Sequence, residues 1–253
     1  MKRFINFIII SIVVVTLAFG IYKVSNSYSL NIMYKDIDWS INTKGCTGAR
    51  AFDIDEDNNL YVAFKDNIKV IKNNSKEQEI IKEEEFNIYD IAYYKGNIII
   101  ATDNRVVEYN LDINNYKDLI IDMPNEGLNK ETKILIKDDN MYVTIGSNTN
   151  SGVVEDEFGL PDKTNFEIVS SGVTYGESCT GGFSDFGSSI KQGNKIKTSE
   201  IGNGIILKYD LKNEEYKPYA TGLRNITGMD IDKEGNLIVI VGGMEEIGQR
   251  PIA

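Results

Sequence analysis

The chain has 253 residues, of which 42% are hydrophobic and 26% charged, so it can bury a sizeable core and is predicted to form one globular domain. Its formal net charge of −11 argues against binding to nucleic acid or to an anionic membrane surface, because both partners require clustered lysine and arginine. It contains no histidine, which excludes Ser-His-Asp and Cys-His catalysis and histidine-ligated zinc.

The first element is the apolar segment Phe4–Tyr22, which contains no charge and follows Lys2 and Arg3. At about 1.5 Å per residue, a helix of this length can cross roughly 30 Å of hydrocarbon. The sequence therefore predicts an N-terminal transmembrane helix that anchors the protein in the cell membrane by a single pass. The positive-inside rule places everything after Lys23 on the extracytoplasmic side.

A cleaved signal peptide is the alternative for this segment, since Ala18–Gly20 and Ser25–Ser27 both resemble small-residue cleavage sites. In that case the protein is secreted. Either way, residues 1–23 form an anchor or signal segment and 24–48 a linker, and the globular domain covers 49–253.

From Ala49 the chain becomes repetitive. Each unit has a strand, a polar turn that ends in asparagine, and a second strand that is largely apolar. The four turn asparagines are Asn59, Asn97, Asn140 and Asn236, and the intervals between them are 38, 43 and 96 residues. A four-stranded propeller blade takes about 40 to 50 residues, so the repeat predicts an all-β fold, a β-propeller.

The longest interval corresponds to two blades or to one blade that carries an insertion. Residues 146–204 hold 11 of the 22 glycines and show only weak strand periodicity, which favours an insertion, placed at 147–202. Two interpretations of this insertion stay open. It is either a flexible surface loop or a ligand-facing loop at the mouth of the propeller.

The fourth unit has two strands, so about three and a half blades are present. A propeller has at least about four blades, and we therefore expect the sequence to be part of a longer protein. The open strand edge at Leu237–Val241 predicts a poorly soluble chain that associates.

Two cysteines, Cys46 and Cys179, lie in similar Gly/Ser-Cys-Thr-Gly settings. A disulfide between them would tie the insertion to the first blade in an oxidising compartment. Two free thiols are equally consistent with the sequence.

Three motifs carry a resemblance to a known family: Gly222–Asn225 (GLRN), Asn140–Asn148 and Gly228–Asp230. In these motifs, the chain from Ala49 onward resembles the glucose/sorbosone dehydrogenase family, six-bladed propellers related to soluble quinoprotein glucose dehydrogenase. The resemblance implies an oxidoreductase that oxidises a sugar or an aldehyde with pyrroloquinoline quinone as its cofactor.

The resemblance also implies site residues. Arg224 and Asn225 would contact the quinone, whose carboxylates suit a guanidinium. A calcium ion would be held partly by backbone carbonyls of the following loop, at Gly243, Met244 and Glu245. The alternative for Arg224 is a structural role between blades.

One departure from the family pattern concerns the catalytic base. Family enzymes place a histidine shortly before the strand pair that corresponds here to 134–146, whereas this chain has Asn125–Lys130 in that region. Glu126 is a weak substitute candidate. Without an imidazole, hydride transfer would lose roughly 10² to 10⁴-fold of general-base assistance. A non-catalytic propeller that binds a carbohydrate or a protein at the cell surface is therefore the second functional hypothesis.

Overall fold

The computed structural model describes residues 2–26, 43–72 and 78–251, and the chain divides into two compact units, Met1–Gly45 and Cys46–Ala253. Most of the linker predicted over 24–48 lies outside the described residues. The first unit contains helix α1, Lys2–Asn26, where the sequence predicts a helix. Within the described ranges, however, no helix is both long enough and apolar enough to cross a membrane, so the transmembrane helix predicted over Phe4–Tyr22 is not supported. The extracytoplasmic location stays a prediction.

The second unit is entirely β. Its strands are β1 Ala51–Ile54, β2 Leu60–Ala63, β3 Asn67–Ile71, β4 Gln78–Lys82, β5 Asp90–Tyr94, β6 Asn97–Ala101, β7 Val106–Asn110, β8 Asn115–Ile120, β9 Ile134–Lys137, β10 Asn140–Ile145, β11 Thr174–Tyr175, β12 Thr180–Gly181, β13 Ile205–Asp210, β14 Glu215–Thr221, β15 Asn225–Ile231 and β16 Leu237–Gly242.

These strands form three four-stranded antiparallel sheets, β1–β4, β5–β8 and β9-β10-β13-β14, followed by the hairpin β15–β16. The first strand of each sheet contacts the first strand of the next, in the order β1, β5, β9 and β15. Successive sheets that meet along their first strands are the blades of a β-propeller, so the predicted all-β propeller fold is confirmed. The three four-stranded sheets are blades 1, 2 and 3 in chain order.

In two blades, the turn asparagine closes the first hairpin through the same pair of hydrogen bonds. In blade 1, the Asp55 carboxylate accepts hydrogen bonds from the backbone N–H and the side-chain amide of Asn59. In the last hairpin, Asp232 accepts the same pair of bonds from Asn236. At Asn59 and Asn236 the asparagine side chain therefore satisfies the turn locally. The Asn97 amide instead bonds across the sheet to Glu108 and Asn110.

Apolar layers fill the spaces between neighbouring blades, and strand β6 contributes to two of them. Ile98 and Ile100 pack in the cluster shared with blade 1, while Ile99 and Ala101 pack in the cluster shared with blade 3. The alternation follows from the period of two along a strand. A polar contact adds to the first interface, where the backbone N–H of Tyr93 donates to the Asp53 carboxylate at 2.6 Å.

In blade 3, strand β10 pairs directly with β13, from Asn140 opposite Asp210 to Ile145 opposite Ile205. Residues 146–204 are thus a connection within one sheet, and it contains only the short ribbon β11–β12 as named strands. Cys46 and Cys179 are both free thiols, so of the two alternatives the structure has the unbridged one.

Candidate functional site

The inserted segment, the loop between β14 and β15, and the end of β16 with the loop that follows it line a pocket of about 380 Å³. The insertion leaves β10 at the end where β9 begins, because the two strands are antiparallel. The pocket is lined by Ser147, Thr149, Asn150, Ser151, Gly152, Asp162, Lys163, Thr164, Phe166, Phe183, Asn203, Gly204, Gly222, Leu223, Arg224, Val241, Gly242, Gly243 and Met244.

The first part of the insertion is tightly held, although its composition is that of a loop. All five residues of Ser147–Ser151 are buried, and each is polar. The side-chain amide of Asn129 donates to both the carbonyl and the hydroxyl of Ser147, and that hydroxyl donates to the carbonyl of Thr149 at 2.6 Å. These bonds offset the desolvation of the polar groups and fix one wall of the pocket.

Asp162 contributes an acidic group to this wall. Its carboxylate accepts hydrogen bonds from the backbone N–H of Asn148 at 2.5 Å and from the Thr149 hydroxyl at 2.6 Å. Burial raises the pKa of Asp162 above its ordinary value, and the two hydrogen bonds offset part of that rise. Lys163, the next residue, also lines the pocket and is exposed.

Arg224 adjoins this wall, because its backbone carbonyl accepts the N–H of Ser147 at 2.9 Å, and its side chain is incompletely satisfied. Its Nη1 donates to the Gly243 carbonyl at 2.6 Å, and its Nη2 lies 3.9 Å from Glu245 Oε1, beyond hydrogen-bonding distance. Its Nε is buried and has no hydrogen-bond partner within the described part of the chain. The guanidinium therefore keeps donors for a further acceptor.

Asn150 fixes the loop that follows β16. Its side-chain oxygen accepts from the backbone N–H of Glu245 at 2.9 Å. Its Nδ2 donates to the carbonyls of Glu245 at 2.7 Å and Ile247 at 3.3 Å. One buried amide thus holds a segment about 95 residues away in sequence, and it places Gly243 and Met244 at the pocket.

Two backbone carbonyls of the predicted calcium loop already accept hydrogen bonds from side chains. The Gly243 carbonyl already accepts a bond from the Arg224 cation, and the Glu245 carbonyl accepts one from Asn150. A guanidinium next to a divalent cation is also repulsive. Among the described residues, no group of three or more Asp, Glu, Cys or His side chains could hold a metal ion.

Only some of the predicted site residues lie at the pocket. Arg224, Gly243 and Met244 line the pocket, whereas Asn225 does not and instead pairs with Gly242 at the start of the β15–β16 hairpin. Glu126 is exposed and is not among the lining residues. The pocket therefore contains one of the two predicted quinone contacts and lacks the candidate base.

Sequence reasoning missed Asp162 and Asn150. Both lie in the glycine-rich insertion, where no motif or periodicity distinguishes them from the surrounding polar residues. Arg224 could be found because it belongs to the GLRN motif.

No protein-family model matches the chain, and no curated protein matches it. Among solved structures, it is similar to a chain of a nidogen/laminin complex, with 12% identity, a TM-score of 0.47 and coverage of 78% of this chain and 57% of that one. It is also similar to virginiamycin B lyase from Staphylococcus aureus, with 11% identity, a TM-score of 0.40 and coverage of 78% and 64%. This chain spans less than two thirds of either structure, and the likeness is too slight to indicate an activity.

Proposed function

We propose that this chain is a non-enzymatic binding propeller whose pocket takes a small carbohydrate that carries a carboxylate. The observation that carries the proposal is the incompletely satisfied guanidinium of Arg224 at the pocket. The Nη2 of Arg224 has no acceptor within hydrogen-bonding distance among the described residues, and the carboxylate of a ligand would supply one.

The remaining lining suits a sugar. Ser151 carries a buried hydroxyl that has no hydrogen-bond partner among the described residues, and Lys163 adds a second positive charge. Phe166 and Phe183 provide apolar surface beside these polar groups. A few convergent polar groups within a largely apolar concavity are typical of small-molecule sites.

The hydrogen bonding of Asp162 and the position of Glu126 favour binding over catalysis. Both carboxylate oxygens of Asp162 already accept hydrogen bonds, and Glu126 lies outside the pocket lining. The chain has no histidine to act as a base. Quinone-dependent sugar oxidation, implied by the family resemblance, stays the alternative.

Calorimetric titration with a hexuronate and with glucose tests the proposal. We expect the hexuronate to bind and glucose to bind at least 10-fold more weakly, because only the hexuronate offers a carboxylate to Arg224. Arg224→Ala should weaken hexuronate binding by roughly 30 to 100-fold, which corresponds to about 2 to 3 kcal/mol. Arg105→Ala is the matched control, since Arg105 lies over the Phe86 ring outside the pocket.

Equal affinities for both sugars, or no binding of either, would contradict the proposal. Titration with pyrroloquinoline quinone and calcium, followed by the quinone's absorbance, tests the alternative. A spectral change that disappears in Arg224→Ala would favour the oxidoreductase hypothesis over the binding one.

A further inference from the structure

A second concavity, of about 220 Å³, lies within the insertion beside the pocket that Arg224 lines. Most of its lining is aliphatic or aromatic, and we call it the apolar pocket: Val153, Ile168, Val169, Val173, Tyr175 and Ile196. Val169 is 56% exposed and Val173 is 48% exposed, so both side chains are open to a ligand. A cavity of about 150 Å³ is enough for a benzene ring. The apolar pocket therefore has room for one aromatic ring.

Two backbone hydrogen bonds hold one wall of the apolar pocket. The N–H of Ser170 donates to the carbonyl of Asn194 at 2.8 Å, and the N–H of Ile196 donates to the carbonyl of Ile168 at 2.9 Å. These bonds join two stretches of the insertion that both contribute apolar side chains to the pocket. The wall is therefore formed before a ligand arrives, and binding does not have to order it.

The apolar pocket and the Arg224 pocket meet at Gly152 and Phe183, which line both. The backbone N–H of Phe183 donates to the carbonyl of Gly152 at 3.0 Å, which holds the two residues together. A Cβ atom at Gly152 would meet nothing within 4 Å, so the space beside this residue is open. A ligand bound at Arg224 can therefore extend past Gly152 into the apolar pocket.

The backbone of Phe183 is strained at this boundary. Its φ is +57°, in the left-handed region, which is unusual for a residue with a bulky side chain. Strain of this kind is concentrated at sites that bind ligands, because elsewhere it only lowers stability. Here it accompanies an aromatic side chain at the point where the two pockets join.

We propose that the ligand is an aryl glycoside of a uronic acid, with its carboxylate at Arg224 and its aromatic ring in the apolar pocket. The inference rests on the proposed function and adds the second half of the ligand. A second acidic sugar in the apolar pocket is less favoured, although Arg250 borders it. The Arg250 guanidinium donates to the carbonyl of Ser151 at 2.8 Å and lies over the ring of Tyr175, so it is already engaged.

Calorimetric titration of the full chain with methyl hexuronide and with phenyl hexuronide tests the inference, because the two ligands differ only in the aglycone. We expect the wild type to bind the phenyl compound about 10 to 30-fold more tightly, since burying roughly 60 to 80 Å² of ring surface contributes a factor of this size.

Substitutions in the apolar pocket should remove this preference. Val173→Asn should reduce it to about 3-fold or less, because a polar amide replaces apolar surface at the ring. Binding of methyl hexuronide should stay unchanged, since Val173 does not line the Arg224 pocket. Val169→Asn is a second variant with the same expectation. Ile113→Asn is the matched control and should keep the preference, because Ile113 is exposed in the turn between β7 and β8.

Equal affinities for the methyl and phenyl hexuronides would overturn the inference and leave the proposed function intact. A preference for the phenyl compound that persists in both valine variants would also overturn it, because the ring would then bind elsewhere. So would a hexuronate disaccharide that binds as tightly as phenyl hexuronide, since the apolar pocket would then take a second sugar. Equal binding of phenyl hexuronide and phenyl glucoside would contradict the proposed function but support the apolar pocket. No binding of any of these ligands would contradict both.

Discussion

Gly146→Ala is expected to lower the free energy of unfolding by about 3 kcal/mol, the upper part of the range for overpacked sites. Gly146 directly follows β10, and a Cβ atom at this position would lie 1.8 Å from the backbone oxygen of Asn129 and 2.8 Å from its carbonyl carbon. The obstacle is backbone rather than the end of a flexible side chain. Relief would therefore displace Asn129, whose amide holds Ser147 in the pocket wall.

Thermal unfolding followed by circular dichroism measures this effect. For a domain of this size, about 3 kcal/mol corresponds to a fall of roughly 6 to 12 °C in the midpoint. Gly243→Ala is the control, because a Cβ there meets nothing within 4 Å and the residue has no positive φ. Similar midpoints for both variants would show that the segment around Asn129 moves freely enough to admit a methyl group.

The blades could be predicted from the sequence because the turns and the alternating strands that specify them are local features of the chain. The turn contacts of Asn59 and Asn236 span four residues, and the alternation of β6 lies within one strand. Such features recur at a fixed period, so repetition reveals them even when each single signal is weak.

The pocket wall could not be predicted, because its contacts join distant parts of the chain. Asn150 reaches Glu245 and Ile247, and Glu155 accepts from the backbone N–H of Gln249, across 94 to 97 residues in each case. The composition of 146–204 indicates a loop but does not show which of its polar residues become buried.

The GLRN motif contains one residue of the pocket lining, Arg224, and one outside it, Asn225, and the quinone-binding roles implied for both stay predictions. Asn225 is the first residue of β15 and pairs with Gly242, so its position is set by the ladder of the hairpin. Arg224 lies in the loop before that strand, and adjacency in a motif therefore does not place both residues at one site. The calcium site at Gly243, Met244 and Glu245 stays a prediction, and in the structure the Gly243 carbonyl accepts a hydrogen bond from the side chain of Arg224 itself.

Asn150→Asp is expected to release the loop after β16 and to open the pocket at neutral pH. The introduced carboxylate would lose both N–H donors and would face the carbonyl oxygens of Glu245 and Ile247 at a site that is 1% exposed. A buried charge opposite two acceptors costs about 3 kcal/mol or more. Hydrogen exchange of the Glu245 amide, which Asn150 protects in the wild type, should accelerate by roughly 100-fold.

The effect should depend on pH in a defined direction. Burial and the facing carbonyls raise the pKa of the introduced carboxyl above its value in the unfolded chain, so docking of the loop is retained at low pH and lost as pH rises through the raised pKa. Acidification should therefore restore part of the protection, because the protonated group regains one donor. Asn213→Asp is the control, since Asn213 lies in the exposed turn after β13 and should leave exchange at Glu245 unchanged. Unaltered exchange at Glu245 in Asn150→Asp would show that the loop is held by other contacts, with those of Gln249 and Arg250 to the insertion the first to be tested.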